Sequence, residues 1–344
     1  MSTVEFGLDT FGDVTVDADG APLTHGQVLR NLVEQGVLAD KVGLDFIGVG
    51  EHHREDFAVS APEVVLAAIA GRTERIRLGS AVTVLSSDDP VRVYQRFATL
   101  DGVSQGRAEV ILGRGSFTES FPLFGLDLRD YEQLFEEKLE LFAELLKQEP
   151  VTWSGATRSS LTAQSVFPRV EHGSLRAWVG VGGSPESVIR TAKYGLPLML
   201  AIIGGAPERF APFVDLYHRA LEKYGQPVQP IGMHSPGHIA ETDEQALEEL
   251  WPHYSAMQAR IGRERGWAPM TYDRFVEETG PSGALFAGSP ESVATKIAAA
   301  VRALGVNRFD LKYSNGTMPH EQLMTSIELY GTQVVPRVRE LLAE

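Results

Sequence analysis

The sequence predicts an α/β fold, a closed (β/α)8 TIM barrel with insertions. Apolar runs of strand length alternate with amphipathic helical stretches along all 344 residues. The strands number eight, a count that closes a barrel more readily than it extends an open doubly wound sheet. Leu196 to Ile203 is almost wholly apolar, as a parallel strand covered on both faces must be. The chain exceeds the roughly 250-residue norm of such barrels. The excess is assigned to insertions at Gly115 to Arg129, Val151 to Arg176 and Gly262 to Gly288, within one domain spanning 1–344.

Val4 to Thr10 is the first strand, and a helix from Gly26 to Val42 follows with Leu29, Leu32, Val33 and Val37 on one stripe. Phe46 to Val49 is the second strand, before a helix over Pro62 to Arg72. Ile76 to Leu85 is the third, before a helix over Pro90 to Gln105. Pro62 and Pro90 suit the first helical turn, where the missing N–H costs nothing. A fourth strand near Val110 leads through a loop into a long helix from Tyr131 to Lys147. Val151 to Arg169 is polar and reads as a hairpin. Ala177 to Gly182 resumes the pattern as the fifth strand, with a helix to Tyr194, and Leu196 to Ile203 is the sixth. A helix over Arg209 to Tyr224, a strand over Ile231 to Ala240, and a helix from Glu244 to about Ile261 come next. Arg308 to Tyr313 is the eighth strand, ahead of helical segments from His320 to Leu342.

Composition narrows the function. With 43% hydrophobic residues the chain can bury a full core, and no run approaches the roughly 20 apolar residues of a membrane span. The first residues lack a basic region followed by an apolar one, so a cytoplasmic protein is expected, with no membrane partner. There are no cysteines, which removes disulfides, thiolate nucleophiles and cysteine-ligated metal, so redox chemistry needs a bound cofactor. A net charge of −15 leaves no basic face to release phosphate counterions, and no nucleic-acid partner is expected.

Three strand ends carry groups that can do chemistry. Asp45-Phe-Ile-Gly-Val-Gly-Glu-His52-His53 closes on two histidines, Ile76 to Leu85 holds small residues mid-run, and Ala108-Glu-Val-Ile-Leu-Gly-Arg114-Gly-Ser116 closes on an arginine. Carboxyl ends of parallel barrel strands share one face, so these groups are expected at one site. Glu51, His52 and His53 make a poor metal site, because successive strand side chains point to opposite faces and the zinc pattern His-Glu-x-x-His is absent. No metal is assigned. His52 fits a general acid/base or hydrogen-bonding role at a barrel mouth, whereas His53 is expected to pack or bond outside the site. Arg114 suits bidentate contact with a phosphate, or could neutralise Glu119 or Asp130. No Gly-x-Ser-x-Gly nucleophile elbow is present.

The hexapeptide Gly-Ser-Pro-Glu-Ser-Val occurs at Gly183 to Val188 and again at Gly288 to Val293. Both copies read as a helix start with Ser at the N-cap, Pro at N1 and Glu in the first turn. Capping accounts for both. The first directly follows a strand, so Gly182, Gly183 and Ser184 offer backbone N–H groups at a helix N-terminus, where phosphate binds. The second follows an insertion and is a weaker candidate.

Glu51-His52-His53, Gly79-Ser80-Ala81-Val82, Pro90-Val-Arg-Val with Ser104-Gln-Gly-Arg107, Gly113-Arg114-Gly115 and Gly195-Leu-Pro-Leu-Met-Leu200 together resemble bacterial luciferase and the luciferase-like flavin-dependent monooxygenases. Their order and approximate spacing run nearly end to end, to the closing Val335-Pro336. The resemblance implies a TIM barrel that binds FMN, received in reduced form from a separate flavin reductase, and that uses O2 to oxidise a small organic substrate. It also implies a homodimer. Ala81 and Val82 match a pair that forms a non-proline cis peptide behind the flavin ring in that family, and His52 matches its active-site histidine. Arg114, Gly183, Ser184 and Ser187 match its phosphate-binding positions. Insertions 115–129 and 262–288 would close the pocket.

Two departures stand out. Gly113 lies where light-emitting luciferases carry a reactive cysteine, and Gly183 replaces an acidic residue of their phosphate loop, so bioluminescence is not expected while backbone contacts to FMN survive. Alternative readings are a deazaflavin (F420)-dependent reductase on the same barrel, a non-catalytic flavin-binding protein and a metal-dependent barrel hydrolase. Phe11, Phe57, Phe117 and Phe121 are candidates for a pocket lining or for the core, and the substrate is not legible.

Overall fold

The computed structural model describes residues 4–115 and 117–343, so Ser116 of the arginine motif lies outside the described residues. In chain order the strands are β1 (Glu5–Thr10), β2 (Phe46–Val49), β3 (Arg77–Val84), β4 (Ala108–Gly113), β5 (Val151–Trp153), β6 (Leu161–Gln164), β7 (Arg176–Val181), β8 (Leu198–Ala201), β9 (Ile231–Ile239), β10 (Phe286–Gly288) and β11 (Arg308–Lys312). The helices that position the site are α1 (His25–Lys41), α2 (Pro62–Ala70), α3 (Pro90–Ser104), α4 (Ser120–Leu123), α5 (Tyr131–Leu145), α6 (Pro185–Lys193), α7 (Ala211–Lys223), α8 (Asp243–Arg265) and α9 (Tyr272–Thr279). Three more, α10 (Pro290–Leu304), α11 (His320–Leu329) and α12 (Val335–Ala343), complete the chain.

Eight parallel strands close a barrel in the order β1-β2-β3-β4-β7-β8-β9-β11, with β11 hydrogen-bonded back to β1. All eight are those the periodicity predicts. The strand register between β3 and β4 shifts at Ala81/Thr83, so a bulge interrupts β3 beside the small residues read in the sequence. The polar stretch after α5 folds as the β5–β6 antiparallel hairpin. One strand was not foreseen: β10 lies in the 262–288 segment and pairs parallel with the end of β9. That same segment also holds the end of α8 and all of α9.

Inside the barrel, Phe46, Ala81, Ile111, Trp178 and Met199 pack together beneath the mouth. A buried charge cluster lies alongside. Arg308 is fully buried over the Phe46 ring, 3.5 Å from its centroid, and donates to Asp310 at 2.8 and 2.9 Å and to Glu109. Gly7 in β1 makes room for it, since a Cβ there would sit 2.2 Å from an Asp310 oxygen.

Helix α1 buries a face that shares Leu32 with the predicted stripe but is rotated away from Val37. Val28, Asn31, Leu32, Gln35, Gly36 and Ala39 are buried, while Leu29 and Val33 pack at the margin. The polar members are hydrogen-bonded: Tyr313 donates its hydroxyl to Gln35 at 2.7 Å, and Gln27 donates to Asn31 at 2.7 Å. Gly36 lets Ile69 of α2 approach, with a Cβ there lying 2.7 Å from Ile69 Cδ1.

Candidate active site

The ends of β2, β3 and β4 meet at the barrel mouth, as adjacent strands must. The Ala81–Val82 peptide is cis. Glu51 braces this region: its carboxylate accepts from the Val84 N–H at 2.8 Å and from His53 Nε2 at 2.9 Å, and its own N–H donates to Val82 O at 3.2 Å. Glu51 is therefore committed to holding β2 against β3. His53 does not leave the site as expected. It lines the same cavity, with its edge against the Phe124 ring at 5.1 Å.

His52 turns into an aromatic cage. Its ring stacks on Phe57 at 4.3 Å and lies 5.0 Å from Phe11 and 5.4 Å from Phe117. Among the described residues its side chain has no hydrogen-bond partner. Burial, then the positive charges of Lys312, His53 and Arg54, hold its pKa down at about 3, so the ring is neutral at neutral pH. A neutral imidazole can donate or accept a hydrogen bond but carries no proton to give as an imidazolium.

An inner cavity of about 320 Å3 is bounded by Ala81, Val82, His52, Arg114, Gly182 and Met199, among others. An outer cavity of about 580 Å3 adjoins it and shares Phe11, Phe117, Gly182, Ala201 and Ile203. Its far wall comes from the end of α8, α9 and the loop between them, including Ile261, Trp267 and Met270. Sizes of a few hundred cubic ångströms with mostly apolar walls are those of small-molecule sites. Phe11, Phe57 and Phe117 line these cavities, whereas Phe121 is fully buried against Tyr131. Arg54 clasps the mouth: it donates to Asp56 at 3.0 Å, to Glu119 of the 115–129 segment, and to Glu264 of α8 at 2.6 Å.

The residues expected to hold a phosphate gather at one rim. Arg114 lies beside Tyr131 and is ion-paired to Glu132, not to Glu119 or Asp130. Arg190 of α6 reaches the same Glu132 at 3.2 Å, which draws the β4 end and α6 together. At the start of α6, Gly183 has φ +112°, a conformation that suits glycine, and a Cβ on Gly182 would meet nothing within 4 Å. Ser184 caps the helix, accepting from the Ser187 N–H at 3.3 Å and donating to Glu186 at 2.8 Å. The Glu186 carboxyl is held below its usual range by its own backbone N–H and the Ser184 hydroxyl, with Arg114 and Arg190 adding to the effect. Of this set Arg114 and Gly182 line the inner cavity, while Gly183, Ser184 and Ser187, at the start of α6, line neither cavity.

The second copy of the hexapeptide is closed. Asp243 accepts from the Ser289 N–H at 2.6 Å and from the Ser292 hydroxyl at 2.9 Å, so a carboxylate of the protein itself takes the place an anion would have. Sequence reasoning missed Asp9, His234 and Tyr131, all of which line the inner cavity. A charged residue inside an apolar strand, as in Leu8-Asp9-Thr10, was the available signal.

Residues 10–308 match the model of the luciferase-like monooxygenase family. The chain is 25% identical over 253 residues to the alkanal monooxygenase alpha chain of Photorhabdus luminescens, a match covering 69% of this chain and 66% of that one, just under two thirds of the relative's length. It is 27% identical over 304 residues to limonene 1,2-monooxygenase of Rhodococcus erythropolis, covering 86% and 78% of the two chains.

Among solved structures, the oxygenating constituent of 3,6-diketocamphane monooxygenase from Pseudomonas putida, a type II Baeyer-Villiger monooxygenase in complex with FMN, superposes with TM-score 0.78 at 17% identity, covering 98% and 99%. The coenzyme F420-dependent tetrahydromethanopterin reductase of Methanopyrus kandleri does so with TM-score 0.74 at 18% identity, covering 98% and 100%. At such identities these two likenesses speak for the fold alone. The family model spans most of the sequence, and on that ground the chain belongs to the luciferase-like monooxygenases.

Proposed function

We propose that this protein is an FMN-dependent monooxygenase, working as a cytoplasmic homodimer of single-domain chains, that takes reduced FMN from a separate flavin reductase and uses O2 to oxidise a small organic substrate. The observation that carries the reading is the composition of one cavity. A largely apolar chamber bounded by Ala81 and Val82 opens toward the Arg114 guanidinium and Gly182, which leads into the N-terminus of α6. That pairing suits a planar ring with a phosphate tail. The donors fit FMN, whose bound reduced ring would supply the electrons for oxygen activation.

Each residue then has a task. Arg114 binds the phosphate, exchanging the carboxylate of the exposed Glu132 for it, and the amides of Gly182 and Gly183 with the Ser184 and Ser187 hydroxyls complete the cradle. Ala81 and Val82 support one face of the ring. His52, neutral and caged by Phe11, Phe57 and Phe117, offers a hydrogen bond from the wall of the inner cavity, with substrate entering from the outer one. The aromatic walls and the Arg54 clasp exclude water from the reacting centre.

Anaerobic titration with FMN, reduced FMN and deazaflavin, followed by fluorescence or calorimetry, tests this reading. Binding of FMN in either redox state is expected, and binding of the deazaflavin alone would transfer the protein to the reductase class. His52→Ala is expected to abolish product formation while sparing FMN affinity, and equal loss of both would make the histidine structural.

A further inference from the structure

Asp9 and His234 meet inside the barrel mouth and take no part in the roles above. Asp9 lies near the end of β1, His234 in β9, and the strand between them, β11, contributes Asp310, in register with His234. Asp9 is 1% exposed and bonds His234 Nδ1 through one oxygen at 2.5 Å, while its other oxygen has no partner. Phe11 stacks on the His234 ring, 6.1 Å between centroids at 17°. Among the described residues His234 Nε2 has no hydrogen-bond partner.

Placement decides what this pair faces. In the closed ring of strands β9 stands four strands from β3 in either direction, so His234 lies across the barrel from Ala81 and Val82. Asp9, His234 and Asp310 line the inner cavity and none of them lines the outer one. A planar group resting on Ala81 and Val82 therefore turns its other side or edge toward the imidazole. A carboxylate only accepts, so Asp9 keeps the proton on Nδ1, and in the neutral ring Nε2 becomes an acceptor. The free oxygen of Asp9 is a second acceptor.

We propose that His234 Nε2 is a hydrogen-bond acceptor for a ring N–H of the bound flavin, and that Asp9 is the positioning residue that fixes its tautomer and orientation. This rests on the reading that the inner cavity takes FMN, and it adds a contact at the edge of the ring, in whose plane an N–H lies, beyond the support that Ala81 and Val82 give one face.

The test is histidine side-chain NMR on the wild-type protein labelled in the imidazole rings, titrated with FMN. His234→Gln serves only to assign the resonance, and the exposed His218 on α7 is the control. FMN saturation is expected to shift the His234 Nε2 and Cε1 signals and leave His218 unmoved. Asp9→Asn is expected to turn the free protein's single His234 tautomer into a mixture and to raise the FMN Kd about three- to tenfold, the worth of one neutral hydrogen bond. Saturation with FMN while the His234 signals stay still overturns this inference alone, as does an Asp9→Asn protein with unchanged tautomer and affinity. Failure of the wild type to take up FMN removes the flavin reading together with it.

Discussion

Gly113→Ala puts the packing of the cavity wall to a numerical test. A Cβ at residue 113 would lie 2.5 Å from Val82 Cγ2, 3.0 Å from its Cβ and 3.1 Å from Cγ1. Carbon atoms prefer about 3.5 to 4.0 Å, so the nearest pair is short by about 1 Å. The two strands cannot simply part, because Gly113 is paired with Val84 in the β3–β4 ladder. Overpacking of this kind costs about 1 to 3 kcal/mol, against which the lower entropy of the unfolded chain returns about 0.4 to 1. A net loss of about 1 to 2 kcal/mol is expected. Val82→Ala removes the two methyl groups nearest the clash, so the double variant should be more stable than the sum of the single changes by about 1 kcal/mol or more. Urea unfolding of all four proteins without flavin, compared at a shared m-value, measures this coupling. A neutral Gly113→Ala, or strictly additive single changes, would refute the argument that Val82 fills the space beside Gly113.

Arg114→Ala is expected to weaken FMN binding about 10- to 150-fold, the worth of a charge-assisted contact of roughly 1.5 to 3 kcal/mol, and to change stability without flavin by less than about 1 kcal/mol, because its partner Glu132 is exposed; unchanged affinity in calorimetry removes the phosphate role. His52 has a folded pKa near 3 against 6.5 unfolded, so the unfolded chain binds more protons between these values and stability falls with pH below 6.5. From pH 7.5 to pH 5 the wild type should lose roughly 2 kcal/mol more than His52→Phe in urea unfolding, and equal losses would contradict the buried neutral ring. Arg308→Met strands Glu109 and Asp310, both fully buried, and is expected to cost about 3 to 5 kcal/mol; a cost under about 1 kcal/mol would show the cluster to be dispensable.

The barrel was legible because its strands are buried on both faces and read as apolar runs whatever their neighbours. All eight strands fall where periodicity puts them. The face of α1 was less legible, since Asn31 and Gln35 count as polar until their amides find Gln27 and Tyr313, the latter 278 residues away. Strand β10 is three residues long within a largely polar segment and gives no period at all. His52, Arg114 and Gly182 could be read because each follows the carboxyl end of a barrel strand, where chemistry collects. The Asp9–His234 pair is not legible as a pair, because its partners are 225 residues apart and no local pattern joins them.

The same distinction explains how the site is divided. The inner cavity is drawn from strands and their ends, so its residues inherit fixed positions from the barrel register: His234 beside Asp310, and Val84 beside Gly113. The outer cavity takes much of its wall from α9 and the loop before it, which lie outside the repeating strand-helix unit. A change of side chain in α9 or that loop alters the outer chamber without disturbing a ladder hydrogen bond, whereas a change at Gly113 or Gly7 collides with a neighbouring strand's side chain. Side chains of the outer walls can therefore be varied at little cost to the fold, whereas the glycines that let neighbouring strands close beneath the inner cavity cannot.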